Sequence, residues 1–184
     1  MTFYINKTEP CASSQLGALL TKCIRTHTGF WDELIFLCIG SDRITGDSLG
    51  PLIGDRLKSM GLPRTFVYGT LQNPVHALNL EETMTQIHQA HSHPLLIAID
   101  ASLGTKQHLG YITLGSGPLF PGAGVHKSLP PVGDIFITGI VSQAGTFEHF
   151  FLQTTRLSTI ISLSDTILHG ILMAYQKGIP NPLV

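Results

Sequence analysis

The segment LIFLCIGSDRITGDSLGP, residues 34–51, decides the fold class because a predicted strand leads directly into a predicted helix there. Leu34 to Ile39 form a continuous apolar run that ends at Gly40, which is typical of a buried parallel strand. The apolar residues that follow have helical spacing up to Gly61: Leu49, Ile53, Leu57 and Met60. A buried strand followed by a helix of this kind indicates an α/β protein.

The same alternation of strands and helices continues along the chain. Short apolar or alternating runs predict strands at residues 65–68, 95–99, 110–114 and 135–141. Helical spacing predicts further helices over about residues 12–27, 79–91 and 157–175. This order implies a sheet with helices on both faces. The strand at 110–114 has no crossover helix before it, so we expect a mixed sheet.

Polar residues mark the predicted helix starts. Ser13 or Ser14 is expected to cap the first helix. Asn73-Pro74 offers a cap with proline at the first helical position. Asn79 followed by Glu82 resembles a capping box, in which two side chains bind the free backbone N–H groups.

The composition limits the class of protein. The 184 residues suit a single domain over 1–184, and 43% apolar against 12% charged residues argue against a disordered chain. A net charge of −1 without a basic stripe predicts no nucleic-acid partner. Cys11, Cys23 and Cys38 are too widely spaced for a disulfide framework or a cysteine zinc site. With no run long enough for a membrane span and no signal-peptide core, we expect a cytoplasmic protein without a membrane partner.

Two aspartates follow predicted buried strands. Asp47 lies where the helix after the first apolar run begins, and Asp100 is expected to end the strand at 95–99. Each has a structural interpretation, Asp47 as a helix N-cap and Asp100 as a carboxylate that caps a loop through backbone hydrogen bonds. Each also has a functional one, because ligands bind beyond the carboxyl ends of the strands in sheets of this type.

Considered as a pair, the two aspartates indicate a more specific chemistry than either does alone. If the strands before them are neighbours, Asp47 and Asp100 project into one crevice. Two close carboxylates cannot both ionise freely, so they tend to share a proton. One can then act as general base and the other as general acid, activating water against a carbonyl. The alternative is that the pair holds a hard or borderline divalent cation.

A glycine-rich loop at residues 115–131 is a further candidate, with a plain connecting loop as its alternative. Its backbone N–H groups could steady an oxyanion or hold an extended peptide. We expect substrate-binding or supporting roles for residues of this loop and of the loop before Asp47: Asp42, Thr45, Gly122, Gly124, His126 and Lys127. His88, His91 and His93 are interpreted as side chains at a helix C-terminus, where the dipole favours imidazoles, rather than as a metal cluster.

Several motifs resemble the YyaC-type sporulation proteins of endospore-forming bacteria. The resemblance covers about residues 34–175, and its motifs lie in the same order at residues 38–51, 67–71, 74–80, 97–101, 117–119, 121–125, 152–153 and 155–157. That family is similar in turn to the spore germination protease and, more distantly, to the hydrogenase maturation proteases. The resemblance implies a three-layer α/β/α sandwich with a mixed, mostly parallel central sheet.

The resemblance also implies roles for individual residues. The two aspartates proposed as the catalytic pair of the germination protease fall on Asp47 and Asp100. In the hydrogenase maturation proteases the equivalent acidic positions, with a histidine, bind a nickel ion of the substrate protein, which makes Asp47, Asp100 and His126 the alternative metal ligands. Gly46 departs from the germination-protease motif, which has proline there, and the chain is much shorter than that protease.

These observations together predict a cytoplasmic sporulation protein with a peptidase-like site and no required cofactor. Its expected substrate is a peptide or protein, spore proteins included, in the sporulating cell or forespore. Two alternatives stay open: a non-catalytic protein that binds a peptide or partner on the same scaffold, and a carboxylate site for a divalent metal. The charge-poor composition permits self-association.

Overall fold

The computed structural model describes residues 1–121, 129–145 and 148–177. The strands are β1 Thr2–Asn6, β2 Glu33–Cys38, β3 Thr65–Tyr68, β4 Pro94–Gly104, β5 Tyr111–Ser116 and β6 Ile135–Gln143. The α-helices are α1 Ala12–Thr26, α2 Leu49–Ser59, α3 Leu80–Ala90, α4 Glu148–Thr154 and α5 Leu157–Gln176. Two short 3-10 helices lie at Thr45–Asp47 and Lys106–His108.

The six strands form one mixed sheet in the order β1-β5-β6-β4-β2-β3. The strands from β6 through β4 and β2 to β3 pair in parallel, whereas β5 is antiparallel to both β6 and β1. The predicted mixed, mostly parallel sheet is therefore confirmed. β1 was not predicted from the sequence, because a five-residue edge strand carries a weak pattern; its Ile5 is nonetheless fully buried.

Helices cover both faces of the sheet, which gives the predicted three layers. On one face, α2 packs against β2 and β4, α1 against β1 and β5, and α5 against β6, around a core that includes Phe36, Ile97 and Ile99. On the other face, α3 packs through Leu80 and Ile87 onto Leu37, Leu96 and Ala98. The strand period of two thus sends alternate residues of β4 into two separate cores.

Helix α5 has the length and apolar composition of a membrane span. It packs against α1 and α2, and Leu163, Ile167 and Ile171 are fully buried in the core. Gly17 of α1 faces Gly170 of α5 so closely that a Cβ at Gly17 would lie 2.8 Å from the Gly170 carbonyl oxygen. The tight packing of α5 on α1 places this apolar helix in the protein core.

The predicted helix caps are wrong at the first helix. Cys11, rather than Ser13 or Ser14, occupies the N-cap position of α1, and no side chain caps that helix. The Ser14 hydroxyl instead donates a hydrogen bond to the Cys11 carbonyl oxygen, which is 2.9 Å away. Serine at this position binds the preceding backbone as readily as it binds a free N–H group.

The predicted caps of the third helix are also wrong. Asn73-Pro74 lies in a loop, and α3 begins only at Leu80. Asn79 does occupy the N-cap position, but its side chain does not cap the helix. The Asn79 amide accepts a hydrogen bond from the His76 N–H and donates one to the Pro74 carbonyl, so it stabilises the loop in place of a capping box.

Candidate active site

Asp100 lies where β4 extends beyond the end of its neighbour β2. The last paired residue of β2 is Cys38, which lies beside Ile99, so Asp100 is the first residue of β4 beyond that pairing. The prediction that Asp100 ends its strand is wrong, because β4 continues to Gly104 alongside β6, where Thr138 is the partner of Asp100. β2 and β4 are parallel neighbours, which is the condition on which the pairing of Asp47 with Asp100 depends.

The loop after β2 folds back on itself and carries Asp47 to this point. The Ser41 N–H donates a hydrogen bond of 3.1 Å to the Asp47 carbonyl oxygen. Gly40 makes this possible, because it has φ +137° and a Cβ there would lie only 2.0 Å from the same oxygen. The Asp47 N-cap interpretation is wrong: Ser48 occupies the N-cap position of α2, and Asp47 ends a 3-10 turn.

Gly46 is also required by its surroundings. A Cβ on Gly46 would lie 2.7 Å from the Leu152 carbonyl oxygen and 2.8 Å from the Leu152 Cα in α4. The 3-10 turn that ends at Asp47 therefore presses directly on the α4 backbone. A proline at this position would not fit this contact.

Burial perturbs both carboxyl groups, and the charge of Asp47 perturbs Asp100 as well. The side chain of Asp100 is 7% exposed. Burial, and then the charge of Asp47, hold the pKa of Asp100 well above its usual range, against the lowering effect of the Ala101 N–H. Burial raises the pKa of Asp47 to about 6, with the Ser41 N–H opposing it. The two side chains thus interact electrostatically across one site.

One oxygen of Asp100 is already bound. The Ala101 N–H donates a hydrogen bond of 2.7 Å to the Asp100 Oδ1. Burial favours the protonated form of this carboxyl, and a proton there would be carried by the oxygen that the Ala101 N–H does not bind. The half-buried Asp47, with its lower pKa, is the member of the pair that ionises first. The environment therefore raises the pKa of both groups, and only Asp100 also carries an effect of its neighbour's charge.

A chain of hydroxyl groups lies beside Asp100 and was missed by the sequence analysis. The Thr138 Oγ1 is 2.8 Å from the Ser102 Oγ and 2.7 Å from the Thr113 Oγ1. Ser102 lies two residues after Asp100 in β4. Thr138 in β6 is the cross-strand partner of Asp100, and Thr113 in β5 is the cross-strand partner of Thr138. The three hydroxyls therefore lie on the same face of the sheet as Asp100. The signal in the sequence was polar residues at a period of two, but it has meaning only once the strand register is known.

The other predicted site residues have different positions. Asp42 is exposed on the loop after β2, and Thr45 is half-buried at the start of the 3-10 turn that ends at Asp47. The Thr45 carbonyl accepts a hydrogen bond of 2.7 Å from the Ser48 hydroxyl. Gly122, Gly124, His126 and Lys127 lie outside the described residues, so their predicted roles stay predictions.

A metal site would need more ligands than the described residues supply. Within residues 1–121, 129–145 and 148–177, no group of three or more His, Cys, Asp and Glu side chains could hold a metal ion. Asp47 and Asp100 offer two carboxylates, while divalent cations that prefer oxygen or imidazole take at least four ligands. The metal alternative therefore depends on His126 and on groups from a substrate.

His91 contacts two polar side chains, those of Glu33 and Tyr68, which were not predicted from the sequence. Its Nδ1 is 2.6 Å from the Glu33 Oε2, and its Nε2 is 2.9 Å from the Tyr68 hydroxyl. His91 is 6% exposed, at the C-terminal end of α3. The contacts join α3 to β2 and β3, so the ring has a role beyond the interaction with the helix dipole.

The fold defines a class of protein, an α/β protein with a mixed six-stranded sheet between layers of helices. The structure is similar to that of the [NiFe] hydrogenase maturation protease HycI from Thermococcus kodakarensis KOD1, with a TM-score of 0.52 and 16% sequence identity. The match covers 84% of this chain and 99% of HycI, so the two share a fold along almost the whole of the smaller protein. The predicted likeness to the hydrogenase maturation proteases is confirmed at the level of the fold.

Sequence comparison then gives the family. Residues 4–170 match the family described as "Protein of unknown function (DUF1256)", and the chain belongs to that family. The chain is 45% identical over 168 residues to "Uncharacterized protein YyaC" of Bacillus subtilis (strain 168), a match that covers 91% of this chain and 81% of the relative. The predicted resemblance to YyaC-type proteins is confirmed, and the relation to the germination protease stays a prediction.

Proposed function

We propose that this protein hydrolyses peptide bonds by means of water activated between Asp47 and Asp100. The observation that supports this most strongly is the electrostatic coupling of two carboxyls whose pKa values are raised to different extents. A pair of this kind supplies a base and an acid at the same pH. The HycI-like fold supports the proposal at the level of the scaffold alone.

Asp47 is the proposed general base. With a pKa of about 6, most of its carboxyl is ionised at neutral pH, yet it remains basic enough to take a proton from water. Asp100 is the proposed general acid, because its pKa lies well above the usual range and the Ala101 N–H binds only its Oδ1, so Oδ2 is the proposed donor atom.

The proposed reaction balances without a further reactant. Asp47 accepts a proton from water as the water oxygen bonds to the peptide carbonyl carbon, and Asp100 donates its proton to the carbonyl oxygen. The tetrahedral intermediate then collapses: the C–N bond breaks, protonated Asp47 gives its proton to the leaving nitrogen, and Asp100 recovers a proton from the hydroxyl of the intermediate. The products are a carboxylic acid and an amine, and both aspartates return to their initial states.

The biological setting is a further part of the proposal. The YyaC-type motifs support a role in the cytoplasm of the sporulating cell or forespore, with spore proteins as substrates. The glycine-rich loop with Gly122, Gly124, His126 and Lys127 is proposed to position the substrate chain and steady the oxyanion. No metal, nucleic acid or membrane takes part in this proposal.

Cleavage assays test the proposed function directly. Wild-type protein, Asp47→Asn and Asp100→Asn are incubated with spore proteins and with unstructured peptides, and new termini are identified by mass spectrometry. Asp55→Asn is a matched control, since Asp55 is also half-buried and lies in α2, the helix that follows Asp47 in the chain. We expect cleavage by the wild type and by Asp55→Asn, and a loss of about a hundredfold or more in each site variant.

Two results would overturn the peptidase proposal. One is that the wild type cleaves none of the substrates, and the other is that a site variant cleaves as fast as the wild type. Peptide binding without cleavage, retained in Asp47→Asn and Asp100→Asn, would favour the non-catalytic binding protein instead.

A further inference from the structure

A cleft of about 370 Å³ lies on the sheet face beside Asp100. Helix α3 packs over the β2 and β4 half of this face, and the cleft occupies the half formed by β6, β5 and β1. Its floor is built of alternate residues of these strands and of β4: Thr2, Tyr4, Ser102, Thr113, Phe136 and Thr138. Its volume lies within the range of sites that hold small ligands or short peptide segments.

The cleft adjoins Asp100 on the same face of the sheet. Ser102 and Thr138, which line it, are the nearest residues to Asp100 along β4 and across to β6 on the same face. In a sheet these separations are about 5 Å across strands and about 7 Å along one strand. A chain lying in the cleft would therefore reach Asp100 within two or three of its residues.

The hydroxyl chain gives the floor a specific chemistry. Ser102, Thr138 and Thr113 are joined by hydrogen bonds of 2.8 and 2.7 Å, and each hydroxyl can both donate and accept. Such groups match the N–H and C=O groups of a peptide backbone. Thr138 is 4% exposed and Thr113 is 6% exposed, so the network is fixed in place by packing.

An aromatic cluster forms one rim of the cleft. The ring of His108 lies 5.2 Å from the ring of Tyr4 and 5.2 Å from that of Tyr111. The Thr105 hydroxyl is 3.0 Å from the His108 Nδ1 and fixes the orientation of the imidazole. Tyr4 is 55% exposed, so its ring is available to contact a ligand.

None of the described residues that line the cleft is Asp, Glu, Lys or Arg. A charged side chain placed there would lose its hydration without gaining an ionic partner. We propose that this cleft binds an extended, uncharged segment of the peptide substrate next to the bond that is cleaved. This inference rests on the proposed function and adds the substrate class, a segment rich in small or apolar neutral residues.

Binding measurements on an inactive variant separate this inference from catalysis. Fluorescein-labelled short peptides of Gly, Ala, Ser and Val are titrated against Asp47→Asn protein, and anisotropy gives Kd. Peptides of the same length with Glu or Lys in alternate positions serve as charged probes. We expect the neutral peptides to bind at least about tenfold more tightly than either charged set.

Rim variants in the same background locate the binding. Tyr4→Ala and, on a separate element, His108→Ala are each expected to weaken neutral-peptide binding by about fivefold or more. Phe30→Ala is the matched control, because Phe30 is 65% exposed and its ring also lies 5.2 Å from a histidine, His93, outside the cleft. Tyr4→Lys is expected to shift the preference toward the acidic peptides.

The possible results distinguish the inference from the proposed function. Absence of neutral-peptide binding, equal binding of charged peptides, or equal Kd values for Tyr4→Ala, His108→Ala and Phe30→Ala would each overturn the inference. If the wild type cleaves peptides but the rim variants keep its KM, the peptidase function stands and the cleft assignment fails. If neutral peptides bind in a rim-dependent way and are never cleaved, the cleft assignment stands and the peptidase function fails.

Discussion

The carboxyl group of Asp47 lies close enough to that of Asp100 for its negative charge to raise the pKa of the buried partner. Helix α2, strand β3 and helix α3 separate the two residues in the chain. They meet because β2 and β4 are parallel neighbours and the loop after β2 folds back over the point where β2 ends.

The first prediction concerns the pH dependence of activity. Under the proposed mechanism, kcat/KM rises as Asp47 ionises, with an inflection at about pH 6, and falls at higher pH as Asp100 loses its proton. The measurement is cleavage of a single peptide from pH 4.5 to 9. A constant kcat/KM between pH 5 and 7 would contradict the assignment of Asp47 as base.

The second prediction concerns stability. Both folded-state pKa values are raised above those of the unfolded chain, so the stability associated with protonation is complete below about pH 4 and is lost as pH rises through the folded values. Asp47→Asn should therefore raise the free energy of unfolding by about 1–2 kcal/mol at pH 8 and have little effect at pH 4.

Urea unfolding at the two pH values measures this difference. Asp55→Asn, outside the pair, should show the wild-type dependence on pH. Asp100→Asn should be stabilising at pH 8 in the same direction as Asp47→Asn. A destabilised Asp47→Asn protein at pH 8 would mean that the ionised carboxylate has a strong partner, contrary to the site described here.

The third prediction concerns Gly46. Gly46→Ala should destabilise the protein by about 1–3 kcal/mol, because its Cβ would lie 2.7 Å from the Leu152 carbonyl oxygen in α4. Thermal unfolding checks this, with Gly29→Ala as the control. A Cβ on Gly29 also meets an atom at 2.8 Å, but that atom is the end of the His27 side chain, which can turn away. Equal Tm values for the two variants would contradict the tight contact between the 3-10 turn and α4.

The fourth prediction concerns metals. Two carboxylates with raised pKa values favour protons over a cation, and the described residues supply no third ligand. Peptide cleavage should therefore be unchanged after dialysis against a chelator, and nickel, zinc or manganese should leave Tm unchanged within about 1 °C. An increase in Tm that is lost in both Asp47→Asn and Asp100→Asn would favour the metal alternative.

Much of the architecture could be predicted because strong local patterns coincide with the fold. The apolar runs before Gly40 and Asp100 identified the central strands β2 and β4, and the spacing of apolar residues identified α1, α2 and α5. The helix caps could not be predicted, since Ser14 and Asn79 bind nearby loop backbone equally well. The continuation of β4 past Asp100 depends on its pairing with β6, which no local pattern reveals.

The candidate site likewise has residues that could be predicted from the sequence and residues that could not. Asp47 and Asp100 could be predicted as a pair because each follows a buried strand and parallel strands end at one edge of the sheet. The hydroxyl chain could not, because Ser102, Thr113 and Thr138 come from three strands whose register is set by tertiary packing. The part of the glycine-rich loop around His126 lies outside the described residues, and its role stays a prediction.

Titration of the two carboxyl groups tests the central claim most directly. Carbon-13 NMR of the aspartate carboxyls, assigned with Asp47→Asn and Asp100→Asn, gives the pKa of each group alone and in the presence of the other. We expect a pKa of about 6 for Asp47 and a pKa well above the usual range for Asp100, which falls when Asp47 is replaced. Ordinary carboxyl pKa values for both groups, each unchanged by replacement of the other, would contradict it.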